Sequence, residues 1–196
     1  MPGVGRRRRL APPPNTAPPL RLARFLLPCP VSPAQLSREL RLIRTPDLAR
    51  RRAVVALSNV GVLAGVVVGL YQTGVVSHLP DLPGKLWNAD KVDASDYAYK
   101  RARTPDALMM TVSYGVTAWL AGAGGKDRAA RAPWLPVALA AKVAGDAFFA
   151  LKLGREEWAE NKALCWYCQS ATLASLASVP LVLPEAARGV KRLLGR

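Results

Sequence analysis

The stretch of sequence that decides the fold runs from Ala53 to Val76 and reads AVVALSNVGVLAGVVVGLYQTGVV. It carries no charged side chain over 24 residues, and about 18 apolar residues suffice for a helix to cross a membrane. Two further uncharged stretches extend over Ala107 to Gly125 and Ala163 to Pro184, and a fourth of similar length, Ala132 to Leu153, carries three charges. The sequence therefore predicts an all-α integral membrane protein, a four-helix bundle whose third span is polar on one face.

The distribution of basic residues predicts how the spans are oriented, because loops rich in Lys and Arg stay in the cytoplasm. Residues 1–52 hold 12 Arg against two acidic residues, and the segments 126–131 and 185–196 are basic as well. The segments 77–104 and 154–162 are close to neutral. We therefore expect a multi-pass protein of an inner (plasma) membrane, with both termini cytoplasmic and the two near-neutral segments at the periplasmic face.

The net charge of +15 would also suit a nucleic-acid-binding protein. Soluble nucleic-acid binders are seldom as apolar as this chain, in which hydrophobic residues make up 51%. The orientation rule for membrane spans already accounts for most of the basic residues. We therefore expect membrane lipid, and no nucleic acid, as the partner of this charge.

Composition divides the chain into four segments. Nine of the 17 prolines fall in residues 1–33, which predicts a disordered Pro/Arg-rich N-terminal extension. Residues 34–52 are interpreted as one basic amphipathic helix that lies on the inner leaflet. Residues 53–185 make up the four-span domain, and residues 186–196 make up a basic cytoplasmic tail.

Two patterns inside the spans predict contacts between helices. Gly61, Gly65 and Gly69 repeat every four residues, a spacing that lets another helix approach closely, although a lipid-facing helix could also carry it. Lys142 and Asp146 lie one helical turn apart, and we expect them to pair inside the bundle because an unpaired charge there costs about 3 kcal/mol. We favour a purely structural pair; the alternative is a pair that lines a polar pocket and relays protons.

Cys165 and Cys168 open the last apolar stretch, in the order Cys-Trp-Tyr-Cys. Two thiols three residues apart can close a small disulfide, and the positive end of a helix stabilises a thiolate. At the periplasmic face, where disulfides persist, this pair predicts redox exchange. A metal site needs about four ligands, so we expect no metal here, and two inert buried thiols are the remaining alternative. The third cysteine, Cys29, is predicted to be an idle cytoplasmic thiol.

The chain resembles the vitamin K epoxide reductase family in its layout and its motifs. The layout has four spans, a long outer loop (residues 77–104) between the first two, and LCWYC at 164–168 beginning the fourth. DKVDASDYA at 90–98, then Thr104-Pro105 and Ser113-Tyr114-Gly115, look like the family's Cys-Asp-x-Val…Ser-x-Tyr-Ala…Ile-Pro…Gly-Tyr run. The resemblance covers about residues 55–185.

The resemblance implies a quinone-linked redox function. In that family the Cys-x-x-Cys passes two electrons to a quinone, here ubiquinone or menaquinone, bound among the outer ends of the helices. Carried over, Cys168 faces the quinone and Cys165 exchanges disulfides with a thioredoxin-like periplasmic protein. Four further side chains are expected at the quinone site: Ser95 as the family's loop serine, Tyr114 on the second span, and Lys142 and Asp146 on the polar face.

The chain departs from the family pattern in its outer loop. Typical members carry a second cysteine pair there, which shuttles electrons to the Cys-x-x-Cys. Residues 77–104 hold no cysteine, and Ala89 stands where the second loop thiol would fall. The first hypothesis is therefore a membrane thiol–disulfide oxidoreductase whose Cys165 is attacked directly by a partner. The alternative is a non-catalytic member of the same fold, with structural thiols and an outer loop that binds a partner.

Overall fold

The computed structural model of the chain describes residues 32–101 and 103–195. Within these residues the chain is helical, and a single strand-like bridge joins Trp87 to Leu164. Apart from its last two residues, the predicted disordered extension lies outside the described residues, as does Cys29. The helices are α1 (Pro33–Leu42), α2 (Pro46–Gln72), α3 (Ala89–Asp93), α4 (Asp96–Tyr99), α5 (Asp106–Gly122), α6 (Arg128–Arg131), α7 (Trp134–Asn161) and α8 (Trp166–Leu193).

Four long helices, α2, α5, α7 and α8, pack side by side and form the body of the molecule. Helix α2 contacts both α5 and α8, and α7 packs against α8 and, less extensively, against α5. Among the described residues, α2, α7 and α8 are long and apolar enough to cross a membrane. Helix α5 has 17 residues, so it rises about 26 Å where the hydrocarbon core measures about 30 Å. The described chain is thus all-helical with three candidate membrane spans.

The last two long helices extend beyond their apolar stretches. Helix α7 continues to Asn161 instead of ending near Leu153, because the added residues are mostly good helix formers and a charge ends only the apolar stretch. It stops at Lys162, whose φ of 53° is left-handed. The segment 154–162, predicted to be a connection outside the membrane, is therefore mostly the end of α7. Helix α8 likewise continues to Leu193, so the predicted tail is largely helical.

The juxtamembrane segment 34–52 contains two helices instead of the one predicted. Helix α1 ends at Leu42, and α2 begins at Pro46. Proline restricts the residue before it to extended backbone, and Thr45 has φ −120° and ψ 156°. The Thr45 hydroxyl then caps α2 by accepting a hydrogen bond from the Leu48 amide at 3.2 Å. The break therefore has a local cause in the Thr-Pro sequence.

The glycine face of α2 contacts α5, which confirms the predicted packing face. A Cβ atom built on Gly61 would lie 2.4 Å from the ring of Tyr114, and one on Gly65 would lie 2.5 Å from the hydroxyl of Thr111. A side chain at either position would collide with α5, so only glycine permits this approach. The contact fixes the ring of Tyr114 in the interior between the helices.

Two buried arginines close the end of the molecule at which α2 begins. The Arg51 guanidinium donates to main-chain carbonyls at the C-terminus of α5, among them Ala121 at 2.8 Å and Gly124 at 2.9 Å. Arg128 donates to both carboxylate oxygens of Glu185, at 2.9 and 2.7 Å. A helix C-terminus carries unpaired carbonyls and partial negative charge, and a cation satisfies both. The Cys-x-x-Cys lies at the opposite end of the long helices.

Candidate functional site

The outer loop, described except for residue 102, folds over the end of the helices where α8 begins. Two main-chain hydrogen bonds attach it to Leu164. The Asn88 amide donates to the Leu164 carbonyl at 3.1 Å, and the Leu164 amide donates to the Leu86 carbonyl at 2.9 Å. The loop therefore covers the residues that follow Leu164.

Carboxylates in the outer loop hold it in this position. Asp90 accepts a hydrogen bond from the Leu79 amide at 2.8 Å, and Asp81 accepts one from the Ala89 amide at 2.8 Å. Both carboxylates supply hydrogen-bond acceptors to backbone amides that have no partner in regular secondary structure. They fix three loop side chains in one apolar cluster with Cys165: Leu79, Ala89 and Val92.

Cys165 and Cys168 occupy the first turn of α8, as predicted. Cys165 is the N-cap residue, and its Sγ accepts a hydrogen bond from the Cys168 amide at 3.4 Å. Neither of these two cysteines forms a disulfide within the described part of the chain. Cys165 is 0% exposed, whereas Cys168 is half-buried. Cys168 is therefore the more exposed residue of the two.

A cavity of about 390 Å³ lies beside Cys168, between the outer loop and the long helices. Its apolar wall includes Val68, Met109, Met110, Phe149, Ala150 and Leu153. Its polar wall includes Asp93, Arg101, Ser113, Asp146, Glu157 and Gln169. Cys168 forms part of the wall, whereas Cys165 is outside the wall as described. Of the two cysteines, Cys168 is thus the one that a molecule in the cavity would meet first.

Two buried carboxylates flank the dithiol. Asp93 on α3 is 1% exposed, and one of its carboxylate oxygens lies within 4.8 Å of both sulfur atoms. Its Oδ2 has no hydrogen-bond partner among the described residues. Burial raises the pKa of Asp93 to about 7. Glu157 on α7 accepts the Cys165 amide through Oε1 and the side-chain amide of Gln169 through Oε2, the latter at 3.1 Å.

The surroundings of Cys165 disfavour its thiolate. A hydrogen bond with Cys168 lowers the pKa of the Cys165 thiol, but burial and the nearby Asp93 carboxylate raise it, and the balance lies above the ordinary value. The prediction that the helix N-terminus stabilises a thiolate here is therefore wrong for Cys165 in this structure. Burial of Cys165 among side chains of the outer loop is the largest of the causes that raise the pKa of its thiol. Cys165 needs a base in order to react.

Of the four further side chains expected at a quinone site, Tyr114 and Asp146 line the cavity. The Tyr114 hydroxyl donates to the Ala171 carbonyl at 2.7 Å and bonds to the Ser175 hydroxyl at 2.6 Å. Ser95 is outside the described wall, and its hydroxyl donates to the Val92 carbonyl at 2.6 Å. Binding of a quinone by these residues stays a prediction.

The expected pairing of Lys142 with Asp146 is confirmed. The ammonium group of Lys142 forms an ion pair with the Asp146 carboxylate and donates to the Ser113 hydroxyl at 2.9 Å. Asp146 also accepts from the Thr117 hydroxyl at 2.7 Å. Lys142 is outside the described cavity wall, so it touches the cavity only through Asp146 and Ser113.

A family model described as "Vitamin K epoxide reductase family" matches residues 52–183, about two thirds of the chain. The chain belongs to the vitamin K epoxide reductase family. No curated protein and no solved structure matches the chain. Family membership, with its quinone redox chemistry, and the three apolar helices together indicate a membrane redox protein.

Membership of the vitamin K epoxide reductase family gives the loop position Ala89 a structural meaning. Ala89 is 0% exposed and belongs to the same apolar cluster as Cys165. A member of the family with a cysteine at this position would place a thiol in that cluster. In this chain the methyl group of Ala89 occupies that place in the cluster.

Three possible metal-ligand side chains meet at the dithiol: Asp93, Cys165 and Cys168, whose donor atoms lie within 4.8 Å of one another. A structural zinc site takes four protein ligands. Both oxygens of the neighbouring Glu157 are engaged in hydrogen bonds. The absence of a bound metal stays a prediction.

Sequence reasoning did not single out Asp93 or Glu157. The charges that end the apolar stretch predict that Glu157 lies in a connecting segment, although the helix continues through it. The burial of Asp93 could have been predicted from the loop segment that resembles the vitamin K epoxide reductase pattern. Ala89, Val92 and residue 93 stand at i, i+3 and i+4, so a short loop helix places the carboxylate on its buried apolar face.

Proposed function

We propose that this protein is a membrane thiol–disulfide oxidoreductase that passes electrons from a periplasmic dithiol through Cys165 and Cys168 to a quinone. One observation carries the proposal: Cys168 lies on the wall of a largely apolar cavity, and Cys165 lies directly behind it. Such a pair can meet an apolar acceptor on one side and an incoming thiol on the other.

The cavity suits the ring of a quinone. Its volume of about 390 Å³ falls within the range of about 300–1,000 Å³ that is common for small-molecule sites. Met109, Phe149 and Leu153 contribute apolar surface, while Arg101, whose Nη1 has no partner among the described residues, can donate a hydrogen bond to a carbonyl oxygen. When bound, a quinone supplies an acceptor for two electrons and two protons, and ubiquinone and menaquinone both meet this requirement.

We assign the four remaining predicted side chains to three roles. Tyr114 and Asp146 line the cavity and are proposed to contact the quinone. Lys142 is proposed to position Asp146 through their ion pair. Ser95 is proposed to hold the end of α3 through its hydrogen bond to the Val92 carbonyl. In this proposal Tyr114 and Asp146 act at the cavity wall, whereas Lys142 and Ser95 act from positions outside it.

All four long helices are proposed to span an inner (plasma) membrane, with both termini cytoplasmic and the dithiol at the periplasmic face. The shortfall of α5, about 4 Å, is of a size that a bilayer accommodates by local thinning. The buried Arg51 and Arg128 lie at the end opposite the dithiol. The basic end of a membrane protein ordinarily faces the cytoplasm, which supports this orientation.

The electron donor is proposed to be a thioredoxin-like periplasmic protein. Its thiolate attacks Sγ of Cys165, which breaks the disulfide and leaves Cys168 reduced. The second thiol of the donor then attacks the mixed disulfide and leaves Cys165 reduced, so the donor loses two electrons and becomes a disulfide. Because Cys165 is fully buried beneath the outer loop, this covering segment has to lift during the exchange.

An electron-transfer assay with purified protein tests the proposal. Reduced thioredoxin serves as the donor and a soluble short-chain ubiquinone as the acceptor, and quinone reduction is followed by absorbance. Cys165→Ser and Cys168→Ser are each expected to abolish turnover. Cys29→Ser, which removes the third thiol, is the matched control and is expected to retain it. Wild-type turnover in both Cys165→Ser and Cys168→Ser would contradict the proposal.

A non-catalytic member of the family with structural thiols is the second candidate, and the complete burial of Cys165 is the observation that favours it. Alkylation of membranes before and after treatment with a reductant separates the two candidates. The thiols of an oxidoreductase become more reactive after reduction. Structural thiols give the same labelling at every redox poise.

A further inference from the structure

We infer that Asp93 is the base that accepts the proton of Cys165 when the dithiol is oxidised. The inference rests on the proposed redox function of the Cys165–Cys168 pair and adds a residue to it. The family pattern Cys-Asp-x-Val…Ser-x-Tyr-Ala specifies no residue at the position of Asp93.

Three features of Asp93 support this role. One of its carboxylate oxygens lies within 4.8 Å of both sulfur atoms. The side chain is 1% exposed, so water does not stabilise its charge. Its Oδ2 has no hydrogen-bond partner among the described residues, although buried carboxylate oxygens are ordinarily bonded. A buried carboxylate that lies beside a dithiol and keeps one oxygen unpaired is costly for a structural residue and suitable for a base.

Cys165 requires such a base, and Asp93 is the carboxylate that is free to act. Cys165 is 0% exposed, so water cannot take its proton directly. Glu157 is also adjacent, but its two oxygens accept the Cys165 amide and the Gln169 side chain. Asp93 Oδ2 carries no such bond in the described part of the chain. The hydrogen bonds therefore assign a structural role to Glu157 and leave Asp93 as the reactive carboxylate.

The charges that surround Asp93 favour proton uptake. Negative groups approach it from three elements: Asp81 and Asp90 from its own loop, Asp106 from the start of α5, and Glu157 from α7. Tyr71 faces it from α2, and the two cysteines face it from the start of α8. Arg101 on the same cavity wall is paired with Glu156 at 2.7 Å. Burial is the largest cause of the pKa of about 7, which allows Asp93 to gain and lose a proton near neutral pH.

The step balances in protons and electrons. The S–H proton of Cys165 moves to Asp93, the thiolate attacks Sγ of Cys168, and one S–S bond replaces two S–H bonds. The electron pair and the Cys168 proton leave through Cys168 for the quinone. The proton held by Asp93 then passes to the quinone through the cavity, which Asp93 lines. Two electrons and two protons are thus delivered in all, the number that converts a quinone to a quinol.

The test isolates the attack of Cys165 on Cys168 and needs no quinone. Reduced protein carrying Cys29→Ser is treated with dithiobis(nitrobenzoate), which forms a mixed disulfide first at the more exposed Cys168. The attack of Cys165 then expels a second thionitrobenzoate, and its release is timed by absorbance. The rate is measured on both sides of the pKa of Asp93, which is about 7.

Asp93→Asn is expected to slow the second release roughly 100-fold at pH values above that pKa. It is also expected to remove the inflection that ionisation of Asp93 gives to the wild-type pH profile. Asp96→Asn makes the same chemical change at an exposed position of the same loop and keeps the wild-type rate and profile. Added formate is expected to restore the rate of Asp93→Ala, because the missing carboxylate bordered the cavity.

Two results would overturn the inference. One is a second release at the wild-type rate in Asp93→Asn; the other is a wild-type profile that shows no inflection near the pKa of Asp93. The pH profile is measured on protein with wild-type Asp93, so it tests the role of Asp93 even where the variants fail to fold. A wild-type protein that passes this test but reduces no quinone would overturn the proposed acceptor and leave the role of Asp93 standing.

Discussion

Glu157 illustrates, at the scale of one residue, how the dithiol is held in position. Its carboxylate is buried, and its two oxygens accept the Cys165 amide and the Gln169 side chain. The Cys165 amide precedes the first turn of α8, so no carbonyl of that helix can accept from it. A side chain from α7 therefore supplies the cap that the start of α8 requires.

Glu157→Ala is expected to lower the free energy of unfolding by about 1–3 kcal/mol, because it leaves a buried amide without a partner. Denaturant unfolding in mild detergent, followed by tryptophan fluorescence, measures the loss. Glu160→Ala, three residues along α7, removes an exposed ion pair with Lys100 and is expected to cost much less. Equal losses in the two variants would show that Glu157 does not act as a cap.

At the scale of elements, the contact between α2 and α5 fixes one wall of the cavity. Gly61→Ala would place a methyl group 2.4 Å from the ring of Tyr114, so the ring has to move. We expect a loss of about 1–3 kcal/mol in stability from overpacking and a higher KM for a soluble quinone. Gly115→Ala on α5 is the control, since its new Cβ would meet no described atom within 4 Å apart from the adjacent backbone of its own helix. Matching stability and KM in the two variants would contradict this assignment of the helix contact.

The outer loop is the second element whose position is testable. In protein lacking Cys29 and Cys168, Ala89→Cys is expected to form a disulfide with Cys165 on mild oxidation, because both positions belong to one buried cluster. Mass spectrometry of linked peptides measures the product. Ala94→Cys, an exposed position in the same loop, is expected to leave Cys165 free. Two free thiols after oxidation of the Ala89→Cys protein would show that the loop does not cover Cys165 in this way.

At the scale of the whole molecule, charge is sorted between the two ends of the long helices. One end holds Arg51 and Arg128, each buried against carbonyl or carboxylate oxygens. The other end holds Asp93 and Glu157 beside the dithiol. Cations are favoured at the cytoplasmic end of membrane helices. The sorting therefore supports an orientation in which the dithiol meets a partner outside the cytoplasm.

The long-range layout was predictable because it depends on patterns along single helices. Long apolar stretches predict the long helices, glycine spacing predicts the α2–α5 contact, and a one-turn spacing predicts the Lys142–Asp146 pair. The burial of Cys165 and the unpaired oxygen of Asp93 depend on how the outer loop folds over the helices. Exclusion of water by a distant segment decides these properties, and no local pattern encodes it.

The redox state of Cys165 and Cys168 before and after addition of a soluble quinone tests the central claim most directly. Differential alkylation and mass spectrometry read the two thiols in purified, reduced protein, and absorbance counts the quinol formed. We expect a Cys165–Cys168 disulfide to form together with an equal amount of quinol. Thiols that stay reduced while the quinone is present in excess, or sulfur atoms that never join each other, would contradict the claim.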